Sequence, residues 1–266
     1  MFSVHKRYPW IVSIGSVLIF LLVALVGTPI GNRIESLTGL PVNSGILIQQ
    51  VLLVIVSALA VMMFGGWREA GFAKPVQFRA FLYAVPPLLC PIFLLFFSGI
   101  IVRDPVQIVM LLVLTAMVGF AEEALCRGMV VQAFLPRGVM RAALFSSLIF
   151  GFAHMIQIFY GTSIGTGLLY SIYAALIGFG FAAPYIRSGG AIWPVIIVHA
   201  LYDFLGKMGH GWGAQAQPTS SFEILVRLVS AVLVALYGFW LLKSQTTVSI
   251  FEKPVEKVSV SSRETT

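Results

Sequence analysis

Eight apolar stretches dominate this sequence. They run over 10–30, 44–66, 80–101, 106–128, 141–159, 163–186, 190–206 and 222–242, each near the ~20 residues a helix needs to cross ~30 Å of hydrocarbon. In lipid, backbone N–H and C=O groups must be satisfied within the segment or in a closed barrel, and no ten-residue alternation of a barrel occurs here. The spacing therefore predicts an all-α fold: a polytopic transmembrane helical bundle of about eight spans. Composition agrees, because 59% of the 266 residues are apolar and only 17 Lys+Arg and 10 Asp+Glu occur, against ~25% charged in ordinary domains. Soluble, secreted, disordered and nucleic-acid-binding classes drop out. The net charge of +7 comes from basic residues that flank apolar runs, not from a stripe with interleaved aromatics, so no nucleic-acid partner is expected. Two cysteines, Cys90 and Cys126, both within apolar runs, exclude a disulfide framework and a C-x-x-C site.

Topology follows from the positive residues. With both termini cytoplasmic, that side holds Lys6, Arg7, Arg68, Lys74, Arg79, Arg137, Arg141, Arg187, Lys243, Lys253, Lys257 and Arg263, and the other holds Arg33, Arg103 and Lys207. Cytoplasmic loops retain Lys and Arg, so both termini are expected to be cytoplasmic in a multi-pass protein of the cell's inner or plasma membrane. The first run is too long for a signal h-region, and no small-x-small cleavage site follows it, so it is read as an anchor. Residues 1–242 are expected to form one integral-membrane domain, and 243–266, rich in Lys, Glu, Ser and Thr, a flexible cytoplasmic tail. Residues 67–75 read as a polar connection, and Pro86, Pro87 and Pro91 predict a kinked third span.

The informative residues are ionisable groups inside the runs: Glu122, Glu123, Arg127, His154, His199 and Asp203. Each charge near a bilayer centre costs ~2.5–3.5 kcal/mol on insertion scales, so such groups face the interior, pair, and mark an ion path, a proton relay or a catalytic site. Glu123 and Arg127 are four apart, acid before base, and predict an ion pair. Glu122, rotated ~100° from its neighbour, is left to point elsewhere. His199 and Asp203 share a helical face. Counted from the turn near 136–138, Glu122 and His154 lie at equal depth, about 22–24 Å along their helices, and Asp203 is a similar distance from Ser188.

A carboxylate and two imidazoles in one polar pocket can activate water as a general base and hold an oxyanion. Glu122, His154 and His199 could alternatively hold a catalytic Zn²⁺. Hydrolysis suits both arrangements. A paired-aspartate mechanism lacks its second buried Asp, no H-E-x-x-H occurs, and Ser146 and Ser147 stand in no G-x-S-x-G context. Cys126 is rotated away from Glu122 and is not read as a nucleophile. Tyr160, Tyr170, Tyr173, Tyr185 and Trp193 read as packing or interfacial aromatics.

Glu122-Glu123-x-x-x-Arg127, Phe150-x-x-x-His154 and His199-x-x-x-Asp203, in this order on successive apolar segments, resemble the signature of the CAAX protease and bacteriocin-processing family. This group of intramembrane endopeptidases is also called Abi and includes the type II prenyl-protein CAAX proteases. The resemblance covers about 105–206, and Gly71-Phe72-x-x-Pro75 is similar to a further segment of many members. It implies a peptidase acting on a peptide or membrane-protein substrate, with Glu122 activating water helped by His154. Glu123 and Arg127 would support them, and His199 with the residue at 203 would hold the oxyanion. The family has been described both as metalloproteases and as metal-independent glutamate proteases. Many members carry Asn at the position of Asp203; an ionised aspartate there would repel the oxyanion, so Asp203 must be protonated, orient His199, or bind a cation. A non-catalytic scaffold or immunity protein, an ion- or proton-coupled transporter, and a metal-binding membrane protein would use the same buried groups.

Overall fold

A computed structural model describes residues 7–213 and 220–243. The expected tail, 244–266, and the residues before Arg7 lie outside this description. The described residues are helical, with no strand among them.

Helix α1 (Pro9–Thr38) starts on Pro9, whose missing N–H costs nothing at the first turn, and stops at Gly39 in the left-handed conformation, φ 67°. It forms a hairpin with α2 (Ser44–Ala60), pinned where Gln49 Nε2 donates to Ala24 O (3.1 Å) and Gly45 N–H to Glu35 Oε2 (2.7 Å). A π-turn at Val61–Gly65 ends α2. The third apolar stretch is two helices, α3 (Phe78–Ala84) and α4 (Leu89–Ser98), joined by a 3₁₀ turn on Pro86–Leu88 and bent by 42°. This is the kink expected of prolines that remove backbone donors.

Helix α5 (Pro105–Glu123) is capped by Asp104, which accepts from Gln107 N–H (2.9 Å). It continues without a break through a π-helical stretch, Ala124–Val131, to Arg137. Helix α6 (Val139–Ala153) tightens to 3₁₀ at His154–Tyr160. Helices α7 (Ile164–Arg187), α8 (Trp193–His210) and α9 (Ser221–Leu242) follow, the last opened by a capping box between Ser220 and Glu223. Helix α7 packs between α6 and α9, α8 lies along α5 and α4, and the α1–α2 hairpin sits on α5. The largest buried cluster, including Phe134, Phe181, Tyr185 and Ile192, joins these layers.

The eight expected stretches are all helical, but the count of eight spans does not carry over unchanged. Among the described residues six helices are long and apolar enough to cross a membrane, seven if the bent α3–α4 pair counts as one. Helix α8 falls short because His199, Asp203, Lys207 and His210 interrupt its apolar sequence. The connection at 67–75 is also not simply polar. Ala70 is fully buried, Trp67 and Phe72 pack ring to ring, and Gly71, at φ 98°, lies so close to Gly190 that a Cβ would meet its carbonyl oxygen at 1.9 Å. Tyr185 donates to Ala70 O (3.1 Å) and Trp193 to Phe72 O (3.2 Å), which tie this connection to α7 and α8. Many apolar side chains of α1, α2 and α9 remain exposed, as a lipid-facing surface requires. The chain is an integral, multi-pass membrane protein.

Candidate active site

Glu123 and Arg127 are both fully buried, one turn apart where α5 passes into its π-helical stretch. Arg127 Nε stands 3.0 Å from Glu123 Oε2, and Nη2 donates to Gly178 O on α7 (2.9 Å). The guanidinium also lies 5.0 Å from the Phe150 ring centre and 5.8 Å from that of Phe181, so aromatic faces carry the part of the cation that lacks oxygen partners. The expected ion pair is present.

The other carboxylate oxygen of Glu123 is what builds the site. Oε1 lies 2.7 Å from His199 Nδ1, which joins α5 to α8 across 76 residues of sequence. A carboxylate held by Arg127 accepts, so Nδ1–H donates to it and Nε2 is the nitrogen left to face the cavity. His199 Nε2 is 3.7 Å from Glu122 Oε2. The imidazole is held flat against Phe181, with ring centres 5.0 Å apart and planes at 15°. Close approach of the two helices makes this contact possible. One turn before Glu123, a Cβ on Gly119 would meet Ile196 O at 2.8 Å and Ala200 N at 3.1 Å. Orientation of His199 thus falls to Glu123 and not to Asp203, because both ring nitrogens are already directed at the glutamates.

His154 is fixed from its own helix. Its Nδ1 is 2.9 Å from Phe150 O; a carbonyl only accepts, so Nδ1 carries the proton and Nε2 presents a lone pair. The Phe150 ring lies 4.6 Å from His154 and 6.2 Å from His199, which gives the Phe150-x-x-x-His154 spacing a physical role in seating both imidazoles. Ser146 donates to Cys126 O (2.9 Å), a carbonyl in the π-helical stretch, and so acts at a helix interface. Cys126 is buried and unbridged.

Two cavities meet here. One, of about 160 Å³, is mainly apolar and lies between the α1–α2 hairpin and α5–α6; Glu122 and His154 line it with Phe20, Leu53 and Tyr160. The second, of about 470 Å³, is polar and is lined by His154, His199, Asp203, Lys207 and Arg227. Phe150, His154 and Gln157 belong to both walls. Glu122, with 20% of its side chain exposed, lines the smaller cavity, beside the shared wall and 3.7 Å from His199 of the larger one. Asp203 is half-buried in the polar cavity, one turn from His199.

Several residues of the polar cavity went unforeseen. Tyr173 and Tyr202 share a hydrogen bond between their hydroxyls, with Arg227 beside Tyr173. Tyr170 lines the same wall, so with Tyr160 on the smaller cavity three of the tyrosines read as packing aromatics border the site. Only the four-residue step from Asp203 to Lys207 hinted at this extension. Among the described residues, no three of His, Cys, Asp and Glu form a group that could hold a metal ion. Glu122, His154 and His199, the possible zinc ligands read from the sequence, do not come together as such a group, although the Nδ1 contacts to Phe150 and Glu123 leave Nε2 of each histidine free.

Comparison with curated proteins and with solved structures returns no match to this chain. A family model does match, and it covers residues 104–205, the segment that carries all six ionisable groups; its description is type II CAAX prenyl endopeptidase Rce1-like. The polar cavity's Lys207, His210 and Arg227 fall beyond the matched segment. Residues 104–205 of this membrane protein are thus similar to the Rce1-like members of the CAAX proteases, a family of peptidases.

Proposed function

We propose that the protein is an intramembrane endopeptidase in which Glu122 activates water for attack on a peptide carbonyl. The observation that carries this reading is the position of Glu122 in the apolar cavity, beside the seam that His154 shares with the polar one and with Nε2 of His199, which lines the polar cavity, 3.7 Å away. A peptide lying across the seam keeps its apolar part in the smaller chamber and its polar part in the larger one, with the scissile bond between them.

The lone pair of His154 Nε2 accepts one hydrogen of the attacking water and turns the water's own lone pair toward the carbonyl. Glu122 takes the second proton as the C–O bond forms. The oxyanion that develops needs a donor, and His199 supplies one at Nε2 when it carries a proton there, with its ring held in place by Glu123 behind Nδ1. Glu122 then returns its proton to the leaving amine, and the C–N bond breaks. No oxidant or metal enters this balance.

Exchange of Glu122 for Gln keeps shape and removes the base. The expected loss is about 10²–10⁴-fold in cleavage rate, the range of general-base contributions, with unchanged thermal stability of the purified protein. The measurement is a mass-spectrometric comparison of membrane peptides from cells holding the native chain or Glu122→Gln. New termini confined to the native chain identify the substrate; identical peptide sets would favour a scaffold or a transporter instead.

A further inference from the structure

The helices have two well-defined ends. At one end the connections at 66–77, 135–138 and 188–192 gather, tied by the bonds from Trp193 to Phe72 O and from Tyr185 to Ala70 O. At the other end the connections at 39–43, 99–104, 161–163 and 211–213 gather, tied by Asn43 to Gln107 (3.2 Å) and by Ile101 N–H to Met208 O (2.9 Å). Arg7, Arg68, Lys74, Arg79, Arg137, Arg141, Arg187 and Lys243 belong to the first end, whereas Arg33, Arg103, Lys207 and, in the second turn of α9, Arg227 belong to the second. Eight cations against four is the asymmetry that holds an end in the cytoplasm.

The polar cavity reaches the second end. From His154, His199 and Asp203 its wall continues to Thr162, Lys207, His210 and the 211–213 turn, all at the end poor in cations, and no residue of the 66–77, 135–138 or 188–192 connections lines it. We infer that the site takes its substrate from the non-cytoplasmic side: a polypeptide segment that meets the membrane there, cleaved next to an apolar portion lodged in lipid. This rests on the endopeptidase reading for the word substrate, but the direction of the cavity does not. Water follows the same route to Glu122, since the polar wall is the wetted one, while the smaller chamber is walled chiefly by apolar side chains.

Single cysteines placed in the full-length chain decide the side. Thr162→Cys lies on the cavity wall, Ser163→Cys beside it is exposed, and Arg137→Cys is exposed at the opposite end; the native Cys90 and Cys126 are buried and give the blank. A membrane-impermeant maleimide added to intact cells is expected to label the first two and spare Arg137→Cys, and inside-out vesicles are expected to show the reverse. Labelling of Arg137→Cys in intact cells, with both partners spared, overturns the inference. Ser163→Cys keeps the test valid if Thr162→Cys fails to fold. In the membrane-peptide comparison, Glu122-dependent termini should map to non-cytoplasmic segments. Termini in cytoplasmic segments overturn the inference and leave the endopeptidase reading intact, whereas no Glu122-dependent terminus overturns that reading and leaves the side to the labelling.

Discussion

Glu123 is the residue that makes most of the contacts around the candidate site, although Glu122 is the proposed base. It pairs in charge with Arg127 through one oxygen and is hydrogen-bonded to His199 through the other, with no exposure to solvent. Removing one partner of a buried ion pair costs about 3–5 kcal/mol, because the other charge is left uncompensated. Glu123→Gln is therefore expected to lower stability by about that amount in denaturation of the purified protein. Pairing it with Arg127→Met removes the stranded charge and should restore most of the stability without restoring cleavage, since His199 still lacks a carboxylate behind Nδ1. Full recovery of both would mean that Glu123 serves packing alone. Asp203 gives the complementary case. An ionised carboxylate would repel an oxyanion, and the orienting task is already taken by Glu123, so a neutral donor should serve as well or better. If Asp203 serves as a protonated second donor beside His199, Asp203→Asn is expected to hold the cleavage rate within about threefold or raise it, and Asp203→Ala to lower it by about 10²-fold, the scale of one lost oxyanion donor. Spacing alone exposed Glu123 with Arg127, because that pair is local to one helix turn. The bond from Glu123 to His199 was illegible, because periodicity says which face a residue occupies and nothing about which helix lies opposite.

Helix contacts convert these residues into a site, and small residues control how near the helices come. In a membrane, association relies on close packing and interhelical hydrogen bonds instead of burial from water, so one added methyl group at a tight crossing has large consequences. Gly119 marks such a crossing between α5 and α8, one turn from Glu123. Gly119→Leu removes no polar group, yet it must push α8 away from α5 and lengthen the 2.7 Å contact between His199 and Glu123. The expected result is a loss of cleavage larger than the loss of thermal stability, with Gly119→Ala intermediate; equal activity of all three would show that the crossing does not set the site. The kink was legible here, since prolines act locally. The π-helical stretch at Ala124–Val131 was not, because Gly128 weakens a helix without dictating a widened turn; that turn is met by Ser146 on the Cys126 carbonyl, a partner on another helix. The buried connection at 67–75 likewise escaped a reading by polarity, since its fit depends on Gly190 and Tyr185, more than a hundred residues later.

At the scale of the whole molecule, the eight apolar stretches located every helix, and the limit of that reading appears at α8. Hydropathy averages a segment as though lipid surrounded it, but α8 is packed against α4, α5 and α7, and turns its polar residues into a cavity. Asp and Lys each cost ~2.5–3.5 kcal/mol at the centre of an isolated span, so α8 alone carries a penalty that the assembled bundle removes by giving Asp203 and Lys207 a wetted wall. As a guest segment in a membrane-insertion assay, residues 193–210 should fail to integrate, whereas in the full-length chain glycosylation or protease-protection mapping should find them spanning. Asp203→Leu with Lys207→Leu should let the isolated segment insert while abolishing the polar wall, and with it cleavage. If the unaltered segment inserts alone as readily as α9, its polarity needs no partner helices. The polar cavity would then be a consequence of tolerated charges and not the feature for which the bundle closes around Glu122.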